Sequence, residues 1–192
     1  LGAQEFPDFD VNLRSAVSIA RRLQDPLSEL IKIDVKSIGV GQYQHDMPQA
    51  RLTEVLTGVV EDCVNSVGVD LNTASVRLLE FVSGLNTKTA KNIVAYRKDI
   101  KHYSNREQLL KVSGLGQKAY EQCAGFLRIT DGDNVLDNTA VHPESYGAVK
   151  ILLDHFNLDS EDVKNGNLAI LPSLIKNEGE EKVAKLCNVG IP

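Results

Sequence analysis

Val82-Ser83-Gly84-Leu85-Asn86-Thr87-Lys88 is answered thirty residues later by Val112-Ser113-Gly114-Leu115-Gly116-Gln117-Lys118, the same phrase with small changes. Each copy follows a short apolar segment (Leu78, Leu79 and Phe81; Leu109 and Leu110) and opens another (Ala90, Ile93 and Val94; Ala119, Cys123 and Phe126). The pattern predicts two helices joined by a tight glycine turn, then the same unit again. A turn that opens a helix leaves the first backbone N–H groups unpaired, and the helix dipole adds partial positive charge there. An anion is the natural guest. Two such turns packed about a pseudo-twofold would hold two phosphates of one backbone.

Charge concentrates in the same place. The whole chain of 192 residues carries a net charge of −5. Between Ser83 and Arg128, however, nine basic residues (Lys88, Lys91, Arg97, Lys98, Lys101, Arg106, Lys111, Lys118 and Arg128) face three acids (Asp99, Glu107 and Glu121). That stretch is therefore +6, and the remainder is −11. A basic segment in an acidic chain is the electrostatic footprint of a localised phosphate binder.

Composition narrows the alternatives. With 42% apolar residues, the chain has material for one large domain or two small ones. Aromatics are only 5% and Trp is absent, which argues against broad base-stacking platforms. Cys63, Cys123 and Cys187 lie far apart at apolar-periodic positions and read as buried free thiols, in keeping with a reducing, cytoplasmic setting. No apolar run approaches membrane-spanning length, so no membrane partner is expected.

Elsewhere the spacing is helical. Leu13, Val17, Ala20 and Leu23 share one face; Asp25-Pro26 then reads as an N-cap followed by Pro at the first helical position, bending the chain into a second helix. Residues 34–47 have no helical period and form a loop. Pro48 starts a longer helix with Leu52, Val55, Leu56, Val59, Val60, Cys63 and Val67 on its core side, ended by Gly68. Asn72-Thr73-Ala74 is expected to cap the next helix, and Ser104 the first helix of the second copy. His142-Pro143-Glu144-Ser145 opens a helix to about Phe156, and Asp159-Ser160-Glu161-Asp162 suits a helix start. No segment alternates with period two for long enough to be a confident strand. The expected fold class is all-α: a helical region carrying a tandem helix-hairpin-helix pair.

The candidate nucleic-acid-binding residues are Gly84, Leu85, Asn86 and Lys88 in one turn and Gly114, Leu115, Gly116, Gln117 and Lys118 in the other. Glycines and leucines would act through backbone amides, lysines through salt-sensitive charge. Asn86 stands where the second copy has Gly116; Asn tolerates left-handed backbone better than most residues, but its grip on phosphate should be weaker, so the Gly114–Lys118 turn is the better clamp. The competing reading of the turns is two hairpins that only pack neighbouring domains. His45-Asp46 lacks a second ligand cluster and reads as a polar loop; His142 reads as a helix-start residue. Neither catalytic residues, nor a metal site, nor a cofactor is expected, and the chain reads as a binder rather than an enzyme.

Several further phrases resemble one family. Ala16-Val17-Ser18-Ile19-Ala20-Arg21-Arg22-Leu23-Gln24-Asp25-Pro26-Leu27 is similar to the close of the RuvC-like (YqgF-like) domain of the bacterial Tex proteins, which are transcription-accessory proteins. Lys36-Ser37-Ile38-Gly39-Val40-Gly41-Gln42-Tyr43-Gln44-His45-Asp46, Glu61-Asp62-Cys63-Val64-Asn65, Val69-Asp70-Leu71-Asn72-Thr73-Ala74-Ser75 and His142-Pro143-Glu144-Ser145-Tyr146 resemble it as closely. The resemblance runs from about Glu5 to Tyr146 and fades beyond. It implies a segment of a longer cytoplasmic protein: 1–33 as the end of the RuvC-like domain, 34–69 as linking loop and central helix, 70–129 as the tandem helix-hairpin-helix domain, and 138–192 as a small helical segment beginning a further domain. It also implies an OB-fold RNA-binding domain further on, and partners consisting of DNA or RNA backbone phosphates and the transcription machinery. The alternative is a helical scaffold that docks onto polymerase or onto other domains of its own protein.

Overall fold

The computed structural model describes residues 2–191; the expectations touching Leu1 and Pro192 lie outside them. Helices dominate. In chain order they are α1 (Gly2–Glu5), α2 (Val11–Gln24), α3 (Pro26–Leu30), α4 (Gln49–Val67), α5 (Val76–Leu79), α6 (Thr87–Ile100), α7 (Gln117–Cys123), α8 (Tyr146–His155), α9 (Ser160–Asn165), α10 (Leu171–Glu178) and α11 (Glu180–Cys187). Two short strands, β1 (Val69–Asp70) and β2 (Leu127–Arg128), pair in parallel, Val69 opposite Leu127. At two residues each they are too short to show alternation, which is why the sequence pattern could not reveal them. They tie the start of the hairpin region to its end.

The boundaries follow local chemistry. Asp10 caps α2 by accepting from the Leu13 amide at 2.8 Å. As the sequence predicts, Asp25 caps α3 from the Ser28 amide at 3.2 Å with Pro26 in the first turn. Gly68, with φ +84°, ends α4. Two expected caps move by one or more residues. Ser75, not Asn72-Thr73-Ala74, caps α5 through the Leu78 amide, and Asn105, not Ser104, caps the 3-10 helix Arg106–Lys111 in a reciprocal capping box with Gln108. Asn72 instead acts over a longer range, accepting from the Tyr103 amide (2.8 Å) and donating to the Tyr103 carbonyl (3.1 Å). Ahead of α2 the chain already forms α1, and the loop 34–47 contains 3-10 turns at Val35–Ser37 and Gln44–Asp46.

One apolar core runs through residues 64–129. Val64, Val69, Leu71, Leu79, Ile93, Tyr103, Leu109, Cys123, Leu127 and Ile129 are all buried within it, and Ile31 joins from α3's end. Burial pushes the Cys123 thiol up to about 12 and raises the Tyr103 phenol, whose hydroxyl donates to the Ile93 carbonyl at 3.0 Å. α2 and α4 contribute less to the core than their apolar spacing predicts. On α4 only Val64 is buried, whereas Val55, Val59, Cys63 and Val67, four residues apart, form an exposed stripe. Cys63 is thus an exposed thiol, not a buried one. A helix's apolar spacing names the face that wants cover, and here that face is bare. Leu13, Ile19 and Leu23 of α2 are likewise exposed.

A compact ionic cluster fixes α2 against α3. Glu29 is buried and accepts from Lys32 (2.7 Å) and Ser18 (2.7 Å), with Arg21 at 3.7 Å. Burial alone would raise its carboxyl, but the hydrogen bonds from Lys32 and Ser18 outweigh it and hold the group below its ordinary 4.5. A carboxylate depressed in the folded state stabilises above its unfolded value and loses that stabilisation as pH falls through the folded one. Thermal melts of Glu29→Gln should therefore lie below wild type at neutral pH, with the gap closing below about pH 4. A gap that stays constant into acid would contradict this.

Candidate nucleic-acid interface

The two turns are built alike and packed against each other's second helix. Val82 and Val112 each accept from the amide of the leucine three residues on, Leu85 and Leu115, both at 3.1 Å. Between them Gly84 (φ +84°) and Gly114 (φ +81°) take the left-handed backbone that glycine adopts without penalty. A Cβ on Gly84 would meet Gln122 of α7 at 2.6 Å, and one on Gly114 would meet Asn92 of α6 at 3.8 Å. Asn92 and Gln122 are also thirty residues apart. Each turn therefore sits on the matching position of the opposite helix, the relation a pseudo-twofold requires. Asn92 fastens it by donating to the Ser113 carbonyl at 2.7 Å.

The second turn position works differently from the sequence expectation. Asn86 is extended (φ −132°), and so is Gly116 (φ −85°, ψ 175°); neither needs left-handed freedom. Both are helix N-caps. Asn86 is the better cap: its carboxamide oxygen accepts from the amides of Lys88 (2.9 Å) and Thr89 (3.0 Å), and Thr89 Oγ1 accepts from the Asn86 amide (2.8 Å). Gly116 makes no side-chain cap. The inequality of the two copies therefore has a sharper cause than backbone tolerance. The first copy's helix-opening amides already have a neutral acceptor, while those behind Gly116 have none from a side chain. Leu115 is buried and Leu85 half-buried, anchoring the turns, while Gly84, Asn86, Lys88, Gly114, Gly116, Gln117 and Lys118 are exposed. Gln117 donates to Glu121 at 3.0 Å along the same helix.

The basic footprint is smaller than the sequence count suggests. Lys88, Lys91, Lys98, Lys101, Lys111 and Lys118 are exposed, but the three arginines are turned inward. Arg97 donates to the carbonyls of Leu71 (2.7 Å) and Ala74 (2.9 Å), and Arg128 to that of Gly125 (2.6 Å). Arg106 is 1% exposed and donates to the carbonyls of Leu127 (2.8 Å), Val141 (2.7 Å) and Thr139 (2.7 Å) and to the Tyr146 hydroxyl (2.6 Å). Buried Asp137 completes this knot, accepting from the Tyr146 hydroxyl and from the Arg106 amide at 3.1 Å. Short helical pieces expose many carbonyl ends, and a guanidinium with five donors satisfies several at once. No feature of the local sequence separates such an arginine from a surface one.

The other candidates fall as their surroundings dictate. His45 lies in an exposed 3-10 turn, and His142 caps the 3-10 turn Pro143–Ser145 while its Nε2 sits 2.8 Å from the Glu121 carbonyl. Among the described residues, no group of three or more His, Cys, Asp or Glu side chains is placed to hold a metal ion, and no helix is long and apolar enough to cross a membrane.

Known proteins resemble this chain in sequence. The helix-hairpin-helix motif matches residues 64–128, a helix-hairpin-helix domain matches residues 134–192, and the Tex protein YqgF-like domain matches residues 1–24. Protein YhgF of Escherichia coli is 67% identical over 80% of this chain and 20% of its own length. The transcriptional accessory protein Tex of Neisseria gonorrhoeae is 63% identical over the same shares. The human S1 RNA-binding domain-containing protein 1 is 40% identical over 95% of this chain and 23% of its own. The chain thus spans about a fifth of the length of these relatives.

Proposed function

The chain belongs to the Tex family, and we propose that it is a non-catalytic module that holds DNA or RNA by its backbone, without reading sequence, within a transcription-accessory protein. Gly114, Leu115, Gly116, Gln117 and Lys118 form the principal contact, and Gly84, Leu85, Asn86 and Lys88 the secondary one. The observation that carries the proposal is the pair of exposed turns related by a pseudo-twofold, each opening a helix beside an exposed lysine. A backbone amide can fix a phosphate's position but carries no base information, and a lysine adds attraction that salt screens. The gonococcal relative's name supports a place in transcription, and the human relative is itself named for an RNA-binding domain, which supports a nucleic-acid partner.

Salt titration tests it. For the intact chain and a labelled duplex or RNA strand, log affinity should fall linearly with log salt. Reversing both Lys88→Glu and Lys118→Glu should cut that slope by roughly 1.5–2, close to one released counterion per lost phosphate. An unchanged slope, with the variant still folded, would remove these turns from the interface.

A second reading has its own observation. The exposed stripe of Val55, Val59, Cys63 and Val67 on α4, with Leu13, Ile19 and Leu23 on α2, suits a helical scaffold that docks against other domains or the transcription machinery. The two readings use different surfaces and are compatible.

A further inference from the structure

The residues 134–192 match a helix-hairpin-helix domain, yet the turn at its centre is chemically the reverse of the other two. Between α8 and α9 the chain reads Asn157-Leu158-Asp159-Ser160-Glu161-Asp162, which lines up with Gly84-Leu85-Asn86-Thr87-Lys88-Thr89 and Gly114-Leu115-Gly116-Gln117-Lys118-Ala119. The backbone agrees from the left-handed residue onward. Asn157 has φ +54° where the glycines have +84° and +81°, and Asp159 is extended (φ −117°, ψ −177°) like Asn86 and Gly116. The approach differs, since Leu158 bonds back to Leu153, closing α8 as a helix C-cap. The chemistry differs more. Where the first two turns carry Lys88 and Lys118, the third carries Glu161, with Asp154 and Asp162 beside it.

The decisive difference is at the cap. Asp159 Oδ1 accepts from the amides of Glu161 (2.8 Å) and Asp162 (3.0 Å), and Asp162 returns the bond to the Asp159 amide at 3.1 Å. These amides correspond to Lys88 and Thr89, which bond Asn86, and to Lys118 and Ala119, which have no side-chain cap. The three turns form a series: open, occupied by a neutral oxygen, occupied by an anion. A carboxamide can yield to phosphate at the cost of a neutral hydrogen bond. A carboxylate makes the stronger, charge-assisted bond and repels the incoming anion as well.

We infer that Asp159 is a specificity-determining residue that closes the third hairpin to nucleic-acid phosphate by filling its anion position from within. The backbone-binding surface therefore ends at residues 64–128 and does not continue over 134–192. This rests on the proposed function of the first two turns, but the two can fail separately.

The test uses the intact chain with a short DNA duplex and an RNA strand. Asp159→Asn keeps a cap and should leave affinity unchanged or slightly raised; a loss of affinity would mean the wild-type acid takes part in binding and would overturn the inference. Glu161→Lys alone should gain about threefold or less, from charge only. In that background, Asp159→Asn and then Asp159→Gly should raise affinity stepwise to about tenfold, with the salt slope steeper by about one. If Glu161→Lys alone matches the double variants, charge rather than occupancy governs and the inference fails. Should Asp159→Gly unfold α9, the step from Asp159→Asn to Asp159→Ala decides in its place, since the two variants carry the same charge and differ only in whether a side chain occupies the amides. A chain that responds to the Asp159 series but not to Lys88→Glu with Lys118→Glu would leave this inference standing and remove the proposed function of the first two turns.

Discussion

Replacing Arg106 with methionine should cost the fold about 3–5 kcal/mol, the range seen when one partner of a buried ion pair is removed. Methionine fills much of the space, so the loss is electrostatic. Three carbonyls, those of Leu127, Thr139 and Val141, lose a donor, and the carboxylate of Asp137, 2% exposed, loses the cation beside it. Native proteins hold only about 5–15 kcal/mol in reserve, so the variant should be recovered in low yield or with a sharply lowered midpoint. Lysine should not rescue it, because one ammonium cannot reach acceptors that a planar fork reaches together. Adding Asp137→Leu should recover part of the loss by removing the stranded charge. Denaturant melts check all three, and hydrogen exchange should show residues 139–146 opening first, since Arg106 is what fastens them to the hairpin pair. A cost under about 1 kcal/mol would show that the knot is dispensable.

The second large effect is expected at Gly84. Alanine there must hold a φ of +84° and put a Cβ 2.6 Å from that of Gln122 and 3.2 Å from the Ala119 carbonyl oxygen. Left-handed strain costs about 1–3 kcal/mol, and overpacking against a neighbouring helix about as much again. Gly114→Ala meets the strain but only a 3.8 Å contact with Asn92, so it should cost less. Gly116→Ala has φ −85° and open space, and its stability should stay within about 0.5 kcal/mol of wild type. The order Gly84, Gly114, Gly116 in lost stability, read from thermal melts, is the prediction; an inverted order would refute the pseudo-twofold packing. Gly116→Ala is then the cleaner probe of binding, since a methyl at the helix start meets the ligand and not the fold.

Much of this was legible because it is local. The repeat, the turn positions, the Asp25-Pro26 bend, the end of α4 at Gly68 and the acidic start of α9 all depend on residues within a turn or two of each other. The shifted caps at Ser75 and Asn105 lie within one to three residues of the expected positions and are misplacements of the same local kind. The helix-hairpin-helix character of residues 134–192 had a signal too, in Asn157-Leu158-Asp159, but with no glycine and no lysine it does not look like its relatives.

What the amino-acid sequence by itself determined is an all-α chain with two glycine turns thirty residues apart, lysines at their helix starts, and phrases that place it in the Tex family. Only the tertiary structure decided which charges remain for a partner. Arg97, Arg106 and Arg128 are spent on carbonyls that lie up to 35 residues away, and Asn86 and Gly116 divide the turns into a capped one and an open one. The physical reason is that a buried carbonyl must find a donor wherever folding brings one. Which side chain answers is a property of the packed molecule, and the binding surface is what remains.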